Sequence, residues 1–120
     1  MKKQIEQVAE FHQKFKVPIL NKPSLIPEDR SNFRFKLMEE EVKEYAEAVK
    51  SGDLEAIAKE LADILYSAFG TVLEHGLQNK IEDIFTVVHT SNLSKEYHQY
   101  KVKKGKDFKP ADLKGILKAN

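Results

Sequence analysis

The sequence predicts an all-α protein, an antiparallel bundle of four to five helices. Apolar residues recur every three or four positions in four successive segments, which is helical spacing. The second, third and fourth segments are joined by only a few residues, as antiparallel neighbours are. No segment alternates apolar and polar residues in the manner of a half-buried strand. With 120 residues, 41% of them hydrophobic, residues 1–120 are expected to form a single domain with one core.

The first helix is predicted over Lys2 to Lys16, with Ile5, Val8, Ala9, Phe11 and Phe15 on its apolar stripe and His12 among them. Val17 to Pro27 holds Pro18, Pro23 and Pro27 and reads as an extended, proline-stiffened connection. Pro27, followed by Glu28 and Asp29, marks a helix start, with acids at the positive end of the dipole. That second helix runs to about Lys50. Gly52 ends it and Asp53 caps the next. The third helix spans Leu54 to about His75, stopped by Gly76. The fourth covers about Asn79 to Asn92, on a stripe of Ile81, Ile84, Phe85 and Val88. Leu93 to Lys109 shows no clear period, and Pro110 to Lys118 suits a short final helix.

Composition excludes several chemistries. There is no cysteine, so disulfides, thiolate zinc sites and cysteine nucleophiles are out. No apolar run approaches the roughly 20 residues of a membrane span. Met1-Lys2-Lys3 leads into polar sequence rather than a signal core, so a cytoplasmic protein is expected. The net charge of +1 hides two opposite halves: residues 38–63 carry −6 and residues 93–120 carry +5. An acidic centre suits a metal and a basic tail a phosphate, although two solvated surfaces would read the same. Tyr97 and Tyr100 among lysines are thin evidence for stacking on single-stranded nucleic acid, so a nucleic acid partner is not expected.

The carboxylates point to the chemistry. Glu40, Glu41 and Glu44 share a face of the second helix, and Glu60 and Asp63, three apart, share one on the third. Both groups lie about seven or eight residues from the Gly52 turn, which puts them at one height on antiparallel helices. Oxygen-only ligation suits Mg²⁺ or Mn²⁺. A di-iron bundle needs Glu-x-x-His pairs, and His12, His75, His89 and His98 are each preceded three residues earlier by something else. Asp63 lies in a run that is apolar nearly all round, so it should be largely buried, with Lys59 one turn away as a possible structural partner. For the glutamate run, the structural alternative is a solvated helix face.

Glu40-Glu41-x-x-Glu44, fifteen residues, then Glu60-x-x-Asp63 resembles the signature of the all-α nucleoside triphosphate pyrophosphohydrolases, which include MazG-like enzymes, dimeric dUTPases and phosphoribosyl-ATP pyrophosphohydrolases. Phe11-His12-x-x-Phe15, Gly52-Asp53-Leu54, the Glu60–Tyr66 run, His89-x-Ser91-Asn92-Leu93-Ser94-Lys95 and the tail Lys106-Asp107-Phe108-Lys109-Pro110 look like the phosphoribosyl-ATP pyrophosphohydrolase branch, so that the resemblance covers about Val8 to Leu117. The resemblance implies that fold and the hydrolysis of a nucleoside triphosphate to monophosphate and pyrophosphate. It implies Glu41, Glu44, Glu60 and Asp63 as metal ligands, Glu40 as an extra acid near a second metal or the attacking water, and Asn92 and Lys95 as nucleotide contacts. It also implies homodimers or dimers of dimers.

In such chemistry Glu40 or Glu41 would accept the proton of the attacking water. Lys95, with Lys104 or Lys106 as further candidates, would neutralise the departing pyrophosphate. The substrate expected is a non-standard or surplus nucleotide such as dUTP. The alternatives are phosphoribosyl-ATP and, from another class, a non-catalytic metal-binding regulatory module. Among smaller features, His12 reads as a packed or hydrogen-bonded histidine, with base stacking as its functional alternative. Tyr66 reads as core. Arg30 and Arg34 read as a solvated or subunit-contact face, with phosphate contact as theirs.

Overall fold

The computed structural model describes residues 1–98 and 101–118, without the side chains of His98 and Lys101. Five helices and one two-stranded hairpin make up the fold: α1 (Lys2–Phe15), α2 (Glu28–Ser51), α3 (Leu54–Glu74), α4 (Ile81–Leu93), β1 (Glu96–His98), β2 (Lys101–Lys103) and α5 (Lys114–Lys118). The chain is all-α apart from that hairpin. It divides into two compact units, Met1–Gln78 and Asn79–Asn120. No helix among the described residues is long and apolar enough to cross a membrane.

In the first unit α2 and α3 form the main antiparallel pair and α1 packs on α3. The termini follow the local chemistry. The Pro27 carbonyl accepts the Ser31 N–H that opens α2. Gly52 ends α2 with φ +69°, a left-handed turn that costs glycine nothing. The Asp53 side chain then accepts the Glu55 and Ala56 N–H groups, at 3.0 and 3.3 Å, and caps α3. Ile5, Val8, Ala48 and Leu73 are the fully buried apolar residues.

The proline-rich connection is non-helical, bends at residues 21–22 and lies against the end of α3. Leu20 N–H donates to the Leu73 carbonyl and Ser24 N–H to that of His75. The His75 ring meets the Ser24 carbonyl at 2.8 Å, and the Gln78 amide donates to Leu20. Gly76 lies beneath this strap with φ +68°, where a Cβ would collide with the Lys22 backbone.

In the second unit β1 and β2 pair antiparallel, Tyr97 opposite Val102. The sequence reading contains no strands. Three residues are too few to show alternation, and strands this short depend on pairing rather than propensity. The Ser94 hydroxyl accepts the Lys109 N–H at 2.7 Å, tying the tail to the end of α4. The final helix is shorter than expected, starting at Lys114 rather than Pro110. Tyr97 is exposed, and Tyr100 lies outside the described residues.

Two buried-core expectations fail. Only one face of α3, that of Ser67, Gly70, Leu73 and Glu74, is buried, while Leu61 and Leu65 are exposed. Tyr66 is 41% exposed and meets Phe11 edge-on, with ring centroids 5.6 Å apart. Within one chain α1 and α2 shield a single side of α3, so an all-round apolar helix keeps a bare face.

The two left-handed glycines separate conformational strain from collision. Gly52→Ala meets open space and should cost about 1–2 kcal/mol for the left-handed backbone alone. Gly76→Ala adds a clash with the strap and should cost clearly more. Urea unfolding of the two variants measures the difference; equal losses would contradict the packing described.

Candidate functional site

Antiparallel pairing of α2 and α3 places Glu41 and Glu44 against Glu60 and Asp63. Each of the four side chains offers one carboxylate oxygen, and those oxygens all lie within 4.8 Å of one another. An octahedral Mg²⁺ with ligands at about 2.1 Å holds adjacent oxygens about 3 Å apart and opposite ones about 4.2 Å apart. The cluster therefore needs only a slight contraction to take such a cation.

Electrostatics agree with that fit. Glu41 Oε2 and Glu60 Oε2 are buried without a hydrogen-bond partner, an arrangement that is costly for charged oxygens. Burial, then repulsion from Asp63 and Glu60, raises the Glu41 carboxyl above its ordinary range. A hydrogen bond with Glu60, then repulsion from Glu41, raises that of Glu44. The nearby cation is Lys59, 2.7 Å from Asp63 Oδ2 and 3.7 Å from Glu60 Oε1. The hydrogen bond to Asp63 raises its pKa, and its ammonium is largely solvent-exposed. Asp63 is thus half-buried and paired, not the deeply buried acid its apolar run suggests, because the Leu61 and Leu65 flanks of α3 are open.

The other site candidates are distributed differently. Glu40 is exposed and outside the four converging acids, although its charge contributes to the upward shifts of Glu41 and Glu44. Asn92, Lys95 and Lys106 belong to the second unit. There the Asn92 carbonyl accepts the Lys95 N–H at 3.1 Å. Lys106 lines an open groove of about 860 Å³ with Thr90, Ser94, Phe108 and Pro110. Lys104 lies over the Phe108 ring.

A smaller cavity of about 190 Å³ adjoins the acids, lined by Phe11, His12, Arg34, Glu41, Asp63 and Tyr66 among others. His12 is buried, and its Nδ1 donates to the Pro18 carbonyl at 3.0 Å, so the neutral ring carries its proton there. Burial lowers its pKa. Arg34 corrects the sequence reading: it is 4% exposed, not solvated, and bridges to Glu74, itself 1% exposed, at 3.1 Å. Arg30 meets the same carboxylate at 3.0 and 2.8 Å. Helical spacing puts both arginines on one face, but which partner covers that face is a tertiary matter. Their acidic partner lies 44 and 40 positions away in the chain.

The family model described as phosphoribosyl-ATP pyrophosphohydrolase matches residues 8–92. The chain belongs to the phosphoribosyl-ATP pyrophosphohydrolase family. The match takes in the cavity, all four converging acids and Asn92, and stops before Lys95 and Lys106. A comparison with curated proteins finds no match. Family membership makes the protein a hydrolase of phosphoanhydride bonds and a metal-dependent pyrophosphohydrolase.

The raised carboxyls give a pH signature. A folded-state pKa above the unfolded one contributes stability below the unfolded value, about 4.3 for Glu, which is lost as pH rises through the folded value. Metal-free protein at pH 7 therefore carries unrelieved repulsion. Glu44→Gln should raise its melting temperature at pH 7 and lose that advantage near pH 4. Saturating Mg²⁺ should favour the wild type instead. Thermal melts at both pH values, with Mg²⁺ and with EDTA, measure each difference.

Proposed function

We propose that the protein hydrolyses a nucleoside or deoxynucleoside triphosphate to the monophosphate and pyrophosphate with Mg²⁺, or Mn²⁺, at the Glu41–Glu44–Glu60–Asp63 cluster. The observation that carries this reading is the convergence of four carboxylates with two buried, unpartnered oxygens. The donor set is all oxygen and fits a hard divalent cation. Such a cation supplies neutralisation of the polyphosphate oxygens and a more acidic water.

The chain's residues do the rest. Glu41 and the exposed Glu40 beside it are the candidates to take the proton of the attacking water. Attack at the α-phosphorus breaks the bond to the β-phosphate, and pyrophosphate leaves. Asn92, Lys95 and Lys106 are assigned to nucleotide and pyrophosphate binding. The cavity beside Glu41 and Asp63, with Phe11 and Tyr66 in its lining, has the size and apolar character for a base or sugar.

Removal of a non-standard or surplus nucleotide such as dUTP is the role proposed, in the cytoplasm. The name of the matching family favours a second reading, phosphoribosyl-ATP as substrate. The same bond breaks in both. A non-catalytic metal-binding module is the third reading. The assembly proposed is a homodimer or a dimer of dimers, which would cover the exposed Leu61 and Leu65. One domain over residues 1–120 is retained as the functional unit.

The test is pyrophosphate release from ribo- and deoxynucleoside triphosphates and phosphoribosyl-ATP, with Mg²⁺, Mn²⁺ or EDTA. Metal-dependent release from dUTP or a related triphosphate is expected. Release from phosphoribosyl-ATP alone would favour the second reading, and none at all the third. Glu41→Gln and Asp63→Asn should each lower turnover at least about 100-fold while the fold survives, since each removes a ligand charge and leaves the shape intact. Circular dichroism and turnover, measured together, check this.

A further inference from the structure

The faces of α2 and α3 pair residue by residue over four turns. Glu44 stands against Glu60, Glu41 against Asp63, Arg34 against Gly70 and Arg30 against Glu74. Each step toward the start of α2 is matched by an equal step toward the end of α3. One register therefore places both the arginines and the acids.

Arg34 holds that register at more than one point. Its Nη2 donates to the Ser67 carbonyl at 2.8 Å, its Nε to Thr71 Oγ1 at 3.1 Å, and its Nη1 bridges to Glu74 at 3.1 Å. The planar guanidinium thus touches two successive turns of α3. Gly70 lies between those contacts and makes the seat. A Cβ there would collide with Arg34 Nη2 and stand 3.0 Å from His12 Nε2. A slip of α2 along α3 would carry the guanidinium off this notch and onto a side chain. Ser67 is one turn from Asp63, and Arg34 is two turns from Glu41. Between these anchors and the acids there is only continuous helix, which transmits an axial shift without loss.

We propose that Arg34, seated on Gly70, is a positioning residue that sets the spacing of Glu41 and Glu44 from Glu60 and Asp63, and so the affinity of that cluster for a divalent cation. The inference rests on the metal-site reading given above. Arg34 itself touches neither cation nor reacting atoms in this role. Groups hydrogen-bonded directly to metal ligands change affinity about 10- to 100-fold when replaced, and Arg34, acting through the helix register, is expected at the lower end of that range.

The test is Mn²⁺ binding to the full chain without nucleotide, followed by electron paramagnetic resonance and calorimetry. Arg34→Lys keeps the charge but not the fork, and Gly70→Ala keeps Arg34 but fills its seat. Both should weaken Mn²⁺ binding about 10-fold or more in protein that remains helical. Asp63→Ala serves as the control for the site. If Asp63→Ala abolishes binding while folded Gly70→Ala and Arg34→Lys bind Mn²⁺ as the wild type does, the positioning role is overturned and the metal site stands. If Asp63→Ala binds normally, the metal-site reading fails first. An Arg34 that contacts substrate instead would raise KM for the nucleotide and leave Mn²⁺ affinity unchanged, which also overturns the proposal. Should Arg34→Lys not fold, Gly70→Ala decides alone, since alanine is the better helix former.

Discussion

The first unit of this protein depends on one antiparallel contact, that between α2 and α3. Its two ends are electrostatic opposites. At one end Arg30 and Arg34 close on Glu74, and every charge has a partner. At the other end four acids meet beside Lys59, whose side chain is largely in solvent. The buried, unpartnered oxygens of Glu41 and Glu60 oppose the contact at that end. Removing one partner of a buried ion pair costs about 3–5 kcal/mol, because the other charge is left buried alone. The arginine end, where the charges are paired and Arg34 also donates to Ser67 and Thr71, holds the register that the acidic end opposes. A cluster of like charges survives because it is assembled by contacts two turns away and not by its own energetics.

The N-terminal segment completes that arrangement. α1 brings His12 against Gly70, and the strap from Val17 to Pro27 accepts the His12 proton at Pro18 while hydrogen bonding to the end of α3. A small residue at Gly70 lets a cation and an imidazole approach one helix backbone at once. The neutral ring suits that position, since a second cation beside Arg34 would be repelled. Among α1, α2 and α3 lies the cavity that adjoins Glu41 and Asp63. Buried polar contacts, cavity and acids thus follow one another along α2 and α3, with α1 closing the cavity from the third side.

Much of the fold was legible because it is local. Pro27, Gly52, Asp53 and Gly76 act on backbone groups within four residues of themselves, and the helix boundaries they predict hold within two residues. The two acidic motifs were legible for a related reason. Spacing of three or four puts carboxylates on one face, and equal distances from a tight turn put two such faces at one height. Hydropathy overstates the burial of Asp63 and Tyr66, because it reports what a residue prefers and not which neighbour is available to cover it. The pairing of β1 with β2 is not legible in the sequence because three-residue strands carry no period.

What the sequence by itself determined is therefore the helical class, the ends of the first four helices to within two residues, and the convergence of Glu41, Glu44, Glu60 and Asp63, which follow from helical geometry and a short turn. The tertiary structure alone decided that Arg34 is buried and not solvated, that Glu74 is its partner, that burial keeps His12 neutral, and that Gly70 is the notch between Arg34 and His12. Arg34 and Glu74 lie 40 positions apart, and Gly70 lies 36 from Arg34 and 58 from His12. Periodicity assigns a side chain to a face of its own helix. Only packing chooses what that face meets.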